Sequence, residues 1–420
     1  MHGGGAGDII KKNGEREGEK MEHKDVRTLV EEQFPRMVAD RRHFHAWPER
    51  SGEERETADY ICAEMAKLGL EPMWTEGSVP SALYLLDTGR PGKTLVLRAD
   101  IDGLPMPEEE ENLAGKKVCV SRRPGFCHGC GHDAHIAMLL GAARVLAAKK
   151  EELRGKIWFL FESGEEKCSV EFYQPVLEAL RKVQPDALWG VHVTAFMPTG
   201  TISVQAGPRM SGHGPFHIRI HGKGGHGSRP DQAVNPVITA SEIACKLQTV
   251  VPLQLSPYEA GVLTVSAVRG GEAWNVIPDT CEILGGLRYF TPEAFEKMNG
   301  QLHKIVEGVC LANDCRAEYL FEPFLRPAVD NDPVLSALAE RAVEKVCPGA
   351  VVEQEPWMAS ESFAWYQSEI PGVLGFVGTQ NAEVGSGALH HNGKFDVDEN
   401  CMIYGASATV QFAVDFLQQD

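Results

Sequence analysis

Little in this sequence points to a membrane, a nucleic acid or an oxidising compartment. Basic residues are in the minority: 41 lysines and arginines face 59 aspartates and glutamates, a formal charge of −18. That field repels nucleic acid and anionic lipid over long range, so an anionic substrate needs local help from arginine, histidine or metal. Met1–Lys20 are rich in glycine and charge and lack the apolar core of a signal peptide or membrane span. A disordered tail is expected over 1–21, and a start at Met21 would lose little structure. The eleven cysteines are an odd number scattered without a framework, which implies no disulfide scaffold and suits reduced thiols in a cytoplasmic protein. There is no second Cys-x-x-Cys pair to complete a structural zinc knuckle. The glycine-rich turn Gly222–Ser228 lacks the lysine-serine ending of a phosphate-binding loop, and internal repeats are missing.

What the chain does have is Cys127-His128-Gly129-Cys130-Gly131-His132-Asp133-Ala134-His135-Ile136. Three histidines, two thiols and a carboxylate share one turn-like stretch, denser in metal ligands than anything else in the chain. Cys130 and His132 stand two apart across a glycine, so both can face one point, and the glycine removes the side chain that would crowd it. The apolar run Ala134–Leu146 reads as a buried helix, whose start would favour the Cys130 thiolate. Cys127-x-x-Cys130 alone also fits a redox pair, and closure of that pair in metal-free protein is a further possibility that its spacing leaves open.

A length of 420 residues is too great for one ordinary core and suggests two domains. Helices are expected over 22–47 and 53–68, with His43 and His45 as capping or packing groups. Lys93–Asp100 is an apolar strand running into Asp100 and Asp102, and Ile157–Phe161 is another running into Glu162-Ser163-Gly164-Glu165-Glu166. Carboxylates at the carboxyl ends of buried strands are where an open α/β sheet places its chemistry. A third strand, Ala187–Val193, carries His192. From about His213 to Phe324 the pattern becomes strand-helix-strand-strand-helix-strand, as of a small α+β domain inserted into the first. The remainder returns to helix 333–346, strand 372–377, Leu389-His390-His391 and a last helix over 400–417.

Taken in order, these motifs resemble the M20 family of metallopeptidases, and within it the amidohydrolase branch of hippurate hydrolases, N-acyl-amino-acid deacylases and auxin-conjugate hydrolases. Its carriers are Arg42-His43-Phe44-His45, Arg98-Ala99-Asp100-Ile101-Asp102, Cys130-Gly131-His132-Asp133, Glu165-Glu166, Gly190-Val191-His192-Val193, Gly224-Gly225-His226, Asn275-Val276-Ile277-Pro278-Asp279 and Leu389-His390-His391. The resemblance implies an α/β fold, a mixed-sheet catalytic domain (22–212 and 325–420) with an inserted α+β lid and dimerisation domain (213–324). It implies two divalent metal ions, Mn, Zn, Ni or Co, on Cys130, His132, Glu166, His192 and His390, with Cys130 bridging. Glu165 matches the general base and Asp102 the aspartate that orients the site. His226 matches a histidine that reaches a partner subunit's site in homodimeric relatives. Asn275 and Arg288 match substrate-holding positions, the arginine suited to a carboxylate. The expected reaction is hydrolysis of the amide of an N-acyl amino acid. A dipeptidase or N-carbamoyl-amino-acid hydrolase on the same scaffold is the alternative enzyme, and a ligand-binding protein on a decayed scaffold the alternative without catalysis. Three departures stand near the site: the branch usually has Gln-Pro-Ala where this chain has Glu162-Ser163-Gly164, Ser-Glu-Asp-Phe where it has Ser360-Glu361-Ser362-Phe363, and another residue type where it has His128, two before Cys130.

Overall fold

The computed structural model describes residues 24–76 and 80–419; the tail expected over 1–21 and the choice of Met21 lie outside them. A seven-stranded mixed sheet runs in the order Pro72–Trp74, Ala82–Asp87, Lys156–Glu162, Thr94–Asp100, Ala187–Pro198, Gly372–Gln380, Ile202–Ser203. The four central strands are mutually parallel, and the outer ones pair antiparallel. These central strands read as continuous apolar runs because both faces are covered. Leu95, Leu97 and Ala99 belong to one core with the helices Lys24–Ala46, His132–Ala148, Pro333–Val346 and Cys401–Leu417. Val96 points the other way, into a core with Val170–Val183 and Phe363–Gln367. The period of two along the strand divides these layers. The strands at Pro72–Trp74 and Ala82–Asp87 and the helix Val170–Val183 were not expected. The helix follows a 3₁₀ turn and a left-handed Cys168 and contains Pro175, so helix breakers mask its strong amphipathic period.

Between Gly212 and Phe321 the chain builds a second sheet, ordered Gly261–Arg269, Thr280–Tyr289, Gly212–His221, Arg316–Phe321 and wholly antiparallel. Helices Pro236–Leu247 and Pro292–Ala312 pack on one face of it. Each starts with a proline in its first turn behind a side-chain cap, Asn235 to the Val237 N–H and Thr291 to the Ala294 N–H, which fixes where strand gives way to helix. Burial alternates strictly along Gly212–His221, with Phe216, Ile218 and Ile220 inward. Among the described residues no helix joins the other face in a shared core.

Candidate active site

Three buried acids of the site, Asp100, Asp102 and Glu162, stand at the carboxyl ends of central strands. Asp100 and Glu162 are paired neighbours at the ends of Thr94–Asp100 and Lys156–Glu162, and Asp102 follows two residues on. Opposite them, the helix His132–Ala148 begins behind Gly131, whose φ of 85° is left-handed; an added Cβ would lie 2.4 Å from Val193 Cγ2. Only glycine permits that turn, and the turn sets Cys130 and His132 on one side. Gly164 does the same for Glu165 and Glu166: its φ is 82°, and a Cβ would strike the Phe172 ring at 2.4 Å. The two glutamates sit on a 3₁₀ turn. They diverge. Glu165 Oε1 accepts from the Ser362 backbone N–H at 3.1 Å, and Glu166 Oε1 lies 3.2 Å from His391 Nε2 and 4.0 Å from His132 Nε2.

Cys130 Sγ is 3.7 Å from both His192 Nε2 and His390 Nδ1. His192 Nδ1 meets the Val193 carbonyl at 2.7 Å, so that nitrogen donates and Nε2 turns its lone pair toward the thiol. Burial, then His135, holds the His192 ring well below its ordinary pKa. Burial, then His391, takes His390 to about 3. Both rings are neutral, as ligands require. His132 Nδ1 lies 3.0 Å from both the Asp102 carbonyl and its Oδ1, which leaves Nε2 free. Asp102 Oδ2 takes the Ser51 hydroxyl at 2.6 Å and the Glu166 N–H at 2.9 Å, so one carboxylate orients two neighbours. His135 is spent: Nδ1 meets Asp100 Oδ1 at 2.5 Å and Nε2 accepts from the Val193 N–H at 2.8 Å.

This donor set fits divalent metal. Cys130, His132 and His192 form one compact group, His132, Glu165 and Glu166 a second, and Cys130, Glu166 and His391 a third, each with ligand atoms within 4.8 Å of one another. His132 Nε2 is buried without a hydrogen-bond partner, and burying such a group unpaired is costly. Burial, then Glu166, pushes the Cys130 thiol well above its ordinary pKa. The helix start therefore does not produce a thiolate by itself; burial and a neighbouring carboxylate outweigh it, and a cation reverses the balance. Burial, then Glu361 and Glu166, likewise raises Glu165 well above the carboxylate range. Among the described residues no lysine or arginine lies within 4.0 Å of Glu165 or Glu166.

A profile described as peptidase family M20/M25/M40 matches residues 96–415. The chain is 34% identical over 388 residues to IAA-amino acid hydrolase ILR1-like 4 of Arabidopsis thaliana, covering 91% of this chain and 86% of that protein. The chain belongs to peptidase family M20/M25/M40. Another M20 relative, N-acetylcysteine deacetylase of Bacillus subtilis, is 32% identical over 91% of this chain and 97% of its own. Among solved structures, a putative aminohydrolase from methicillin-resistant Staphylococcus aureus superposes with a TM-score of 0.85 at 31% identity, covering 94% of this chain and 100% of that one. A dinuclear metal binding M20 peptidase of Bacillus subtilis gives 0.78 at 29% identity over 92% and 99%. The protein is thus a hydrolase of amide or peptide bonds on a mixed α/β fold, with donor groups suited to metal.

In this M20 chain the cluster of candidate donors opens into a cavity of about 490 Å³ lined by Cys130, Glu165, Glu166, His192, His390 and His391, with Arg288, His213, Trp357 and Met210 among the other walls. Of the candidate site residues, Asp102 and His132 stand directly behind that lining. His226 and Asn275 do not line the cavity. His226 is exposed on a short ladder with Val276, its Nδ1 accepting from Ser228, and Asn275 holds Gly227 through its backbone. His45 is buried between Asp133 and Glu108, and His43 stacks on Tyr60 with centroids 4.3 Å apart, so neither is a ligand. Cys127 remains a free buried thiol at about 12, raised by burial and then Glu108, which opposes the thiolate that disulfide closure needs. His391 and Arg98 went unassigned in the sequence: two adjacent histidines do not reveal which faces Glu166, and one arginine inside an apolar strand reads as an exception rather than a hub.

That hub joins Glu162 and Ser362, one position from each of two motif departures. Arg98 is buried and meets Asp100 at 2.9 Å, Glu162 at 2.6 Å, Glu361 at 2.8 Å and the Ser362 hydroxyl at 2.9 Å. Ser362 Oγ also donates to Glu162 Oε1 at 2.7 Å, and Tyr366 donates to that same oxygen. Glu162 and Ser362 are therefore joined across one hydrogen bond, behind the cavity rather than in it.

Proposed function

We propose that the protein hydrolyses the amide bond of N-acyl amino acids with two divalent ions held by Cys130, His132, Glu166, His192 and His390. The observation that carries this reading is the position of Glu165. It is a buried carboxyl beside the ligand cluster, with one oxygen tied to the Ser362 N–H, no cation at ion-pair distance, and the cavity in front of it. Ions held by these residues would polarise the amide carbonyl and would supply a water acidic enough to attack near neutral pH. Glu165 takes the proton of that water and delivers it to the leaving nitrogen. Asp102 fixes the His132 tautomer and the Glu166 backbone together, so losing it loosens two ligands at once. Arg288, in the far wall, meets the carboxylate of the amino acid.

His226 and Asn275, outside their own chain's cavity and on an exposed turn beside Trp274, are proposed to serve the cavity of a second copy in a homodimer built through the smaller unit. The edge strand Gly261–Arg269 and the exposed Tyr258, Val262, Val268 and Trp274 support that interface. The test is a panel of N-acetyl, N-benzoyl and N-carbamoyl amino acids and dipeptides, assayed on chelated protein reloaded with Mn, Co, Ni or Zn. Preferred turnover of acylated amino acids, lost on chelation and restored unequally by the four ions, is expected. Preference for N-carbamoyl substrates or dipeptides would replace the reading, and full activity without metal would end it.

A further inference from the structure

The uncovered face of the smaller sheet runs up to the cavity, and its charges are balanced until the last position. His217 and Arg219 meet Glu282, and His221 meets Glu318. The next pair toward the cavity but one is His213 opposite Arg288, and there the balance fails. Instead of a carboxylate, a third basic group arrives from the connection that follows the smaller unit: Arg326 bonds His213 Nε2 through Nη1 and stacks on Phe324, 4.4 Å from the ring centroid. Among the described residues none of the three has a carboxylate within 4.0 Å, and Arg288 Nη1 is buried without any hydrogen-bond partner.

Other buried arginines of this protein show what is missing. Arg41 faces Asp133, Asp396 and Glu399, Arg98 faces three acids, and Arg209 is met by oxygens of Ser203, Gln205 and Gln354. Burial, then Arg326, lowers the Arg288 pKa, and burial, then the two arginines, takes His213 to about 3. His213 is therefore a neutral acceptor holding Arg326 in place. Two half-buried guanidiniums flanking His213, with no carboxylate within 4.0 Å of either among the described residues, cost folding energy that an incoming anion recovers. His213, to which Arg326 bonds, and Arg288 both line the cavity, while Arg326 itself lines a second cavity with Tyr289 and Trp365.

We propose that Arg288 and Arg326 together form a subsite for a dicarboxylic amino acid, so that the substrate is an N-acylated aspartate or glutamate. This rests on the amidohydrolase reading. Arg288 takes the α-carboxylate, which fixes the leaving amino acid at this end of the cavity. The side chain starts one bond from that carboxylate and is directed to Arg326. The acyl group, across the scissile bond, lies toward Trp357 and Met210.

The test compares kcat/KM for N-acetyl-aspartate and N-acetyl-glutamate with their uncharged isosteres N-acetyl-asparagine and N-acetyl-glutamine, in metal-loaded enzyme. In parallel, thermal shift is recorded with free L-glutamate against L-glutamine. We expect the acids to be favoured by about tenfold or more, the worth of one charge-assisted bond, and L-glutamate alone to raise Tm. Arg326→Gln should collapse both differences, Arg326→Lys should recover part of them, and Arg288→Gln should raise KM for all four substrates. Hydrolysis of the amides as fast as the acids overturns the subsite, as does an Arg326→Gln variant that lowers both classes equally. If nothing is hydrolysed while the L-glutamate shift and its Arg326 dependence persist, the catalytic reading falls and the subsite stands.

Discussion

The exchange between Glu162 and Ser362 can be measured as a coupling energy. Glu162→Gln removes a charge-assisted bond to Arg98 Nε at 2.6 Å and offers an amide N–H₂ where Arg98 on one side, or Ser362 and Tyr366 on the other, already donates. A bond of that kind is worth about 1.5–3 kcal/mol. Stripping a buried pair of one partner costs about 3–5 kcal/mol; Arg98 keeps Asp100 and Glu361, so about 2–3 kcal/mol is expected. Ser362→Asp brings a fourth carboxylate to within a hydrogen bond of Glu162, whose pKa burial already raises despite Arg98. The expected loss is about 3 kcal/mol or more, by the same cost of uncompensated buried charge. The double variant restores three acids around Arg98 and should lose only about 1–2 kcal/mol, a coupling of about 3 kcal/mol or more. Urea denaturation of the four metal-free proteins gives the cycle. Additivity of the two single losses to within about 0.5 kcal/mol would show that the two positions do not compensate each other.

Two further outcomes follow from other parts of the chain. Burial opposes ionisation of Glu108, but His45 and Lys117 outweigh it and hold its pKa at about 2. A depressed folded pKa gives stability that is full above the unfolded value of about 4.3 and is lost as pH falls toward 2, so Glu108→Gln should flatten the acid limb of a Tm profile between about pH 5 and 2; an unchanged limb would refute the assignment. If His226 serves a partner's cavity, His226→Ala and Glu165→Gln homodimers should each be nearly inactive, and mixing them should restore part of the activity, because one cavity of the heterodimer receives both intact groups. No recovery, with subunit exchange confirmed, removes His226 from a partner's site.

Much of this site was legible before any coordinates, and the reason is local. Cys130-Gly131-His132 and Gly164-Glu165-Glu166 each need a left-handed glycine, so the motif and its geometry are written in the same few residues. The capped helices of the smaller unit were legible for the same reason. What stayed hidden depends on contacts between distant segments. Arg98 and Glu361 are 263 residues apart, and nothing in either segment announces the other. The departures at 162 and 362 stand unconnected in the sequence because the hydrogen bond joining them spans 200 positions. The isolation of Arg288 and Arg326 is likewise invisible in sequence, where the relevant fact is a carboxylate that three dimensions do not supply.

The division of labour between the adjacent glutamates is the central claim, and metal content measured beside turnover tests it most directly. Glu165→Gln should retain the metal stoichiometry of the parent enzyme while turnover falls by roughly 10²–10⁴-fold, the worth of a positioned general base. Glu166→Gln should lose metal and activity together. Equal metal loss in the two variants, or a Glu165→Gln enzyme that turns over at the parent rate, would contradict the account.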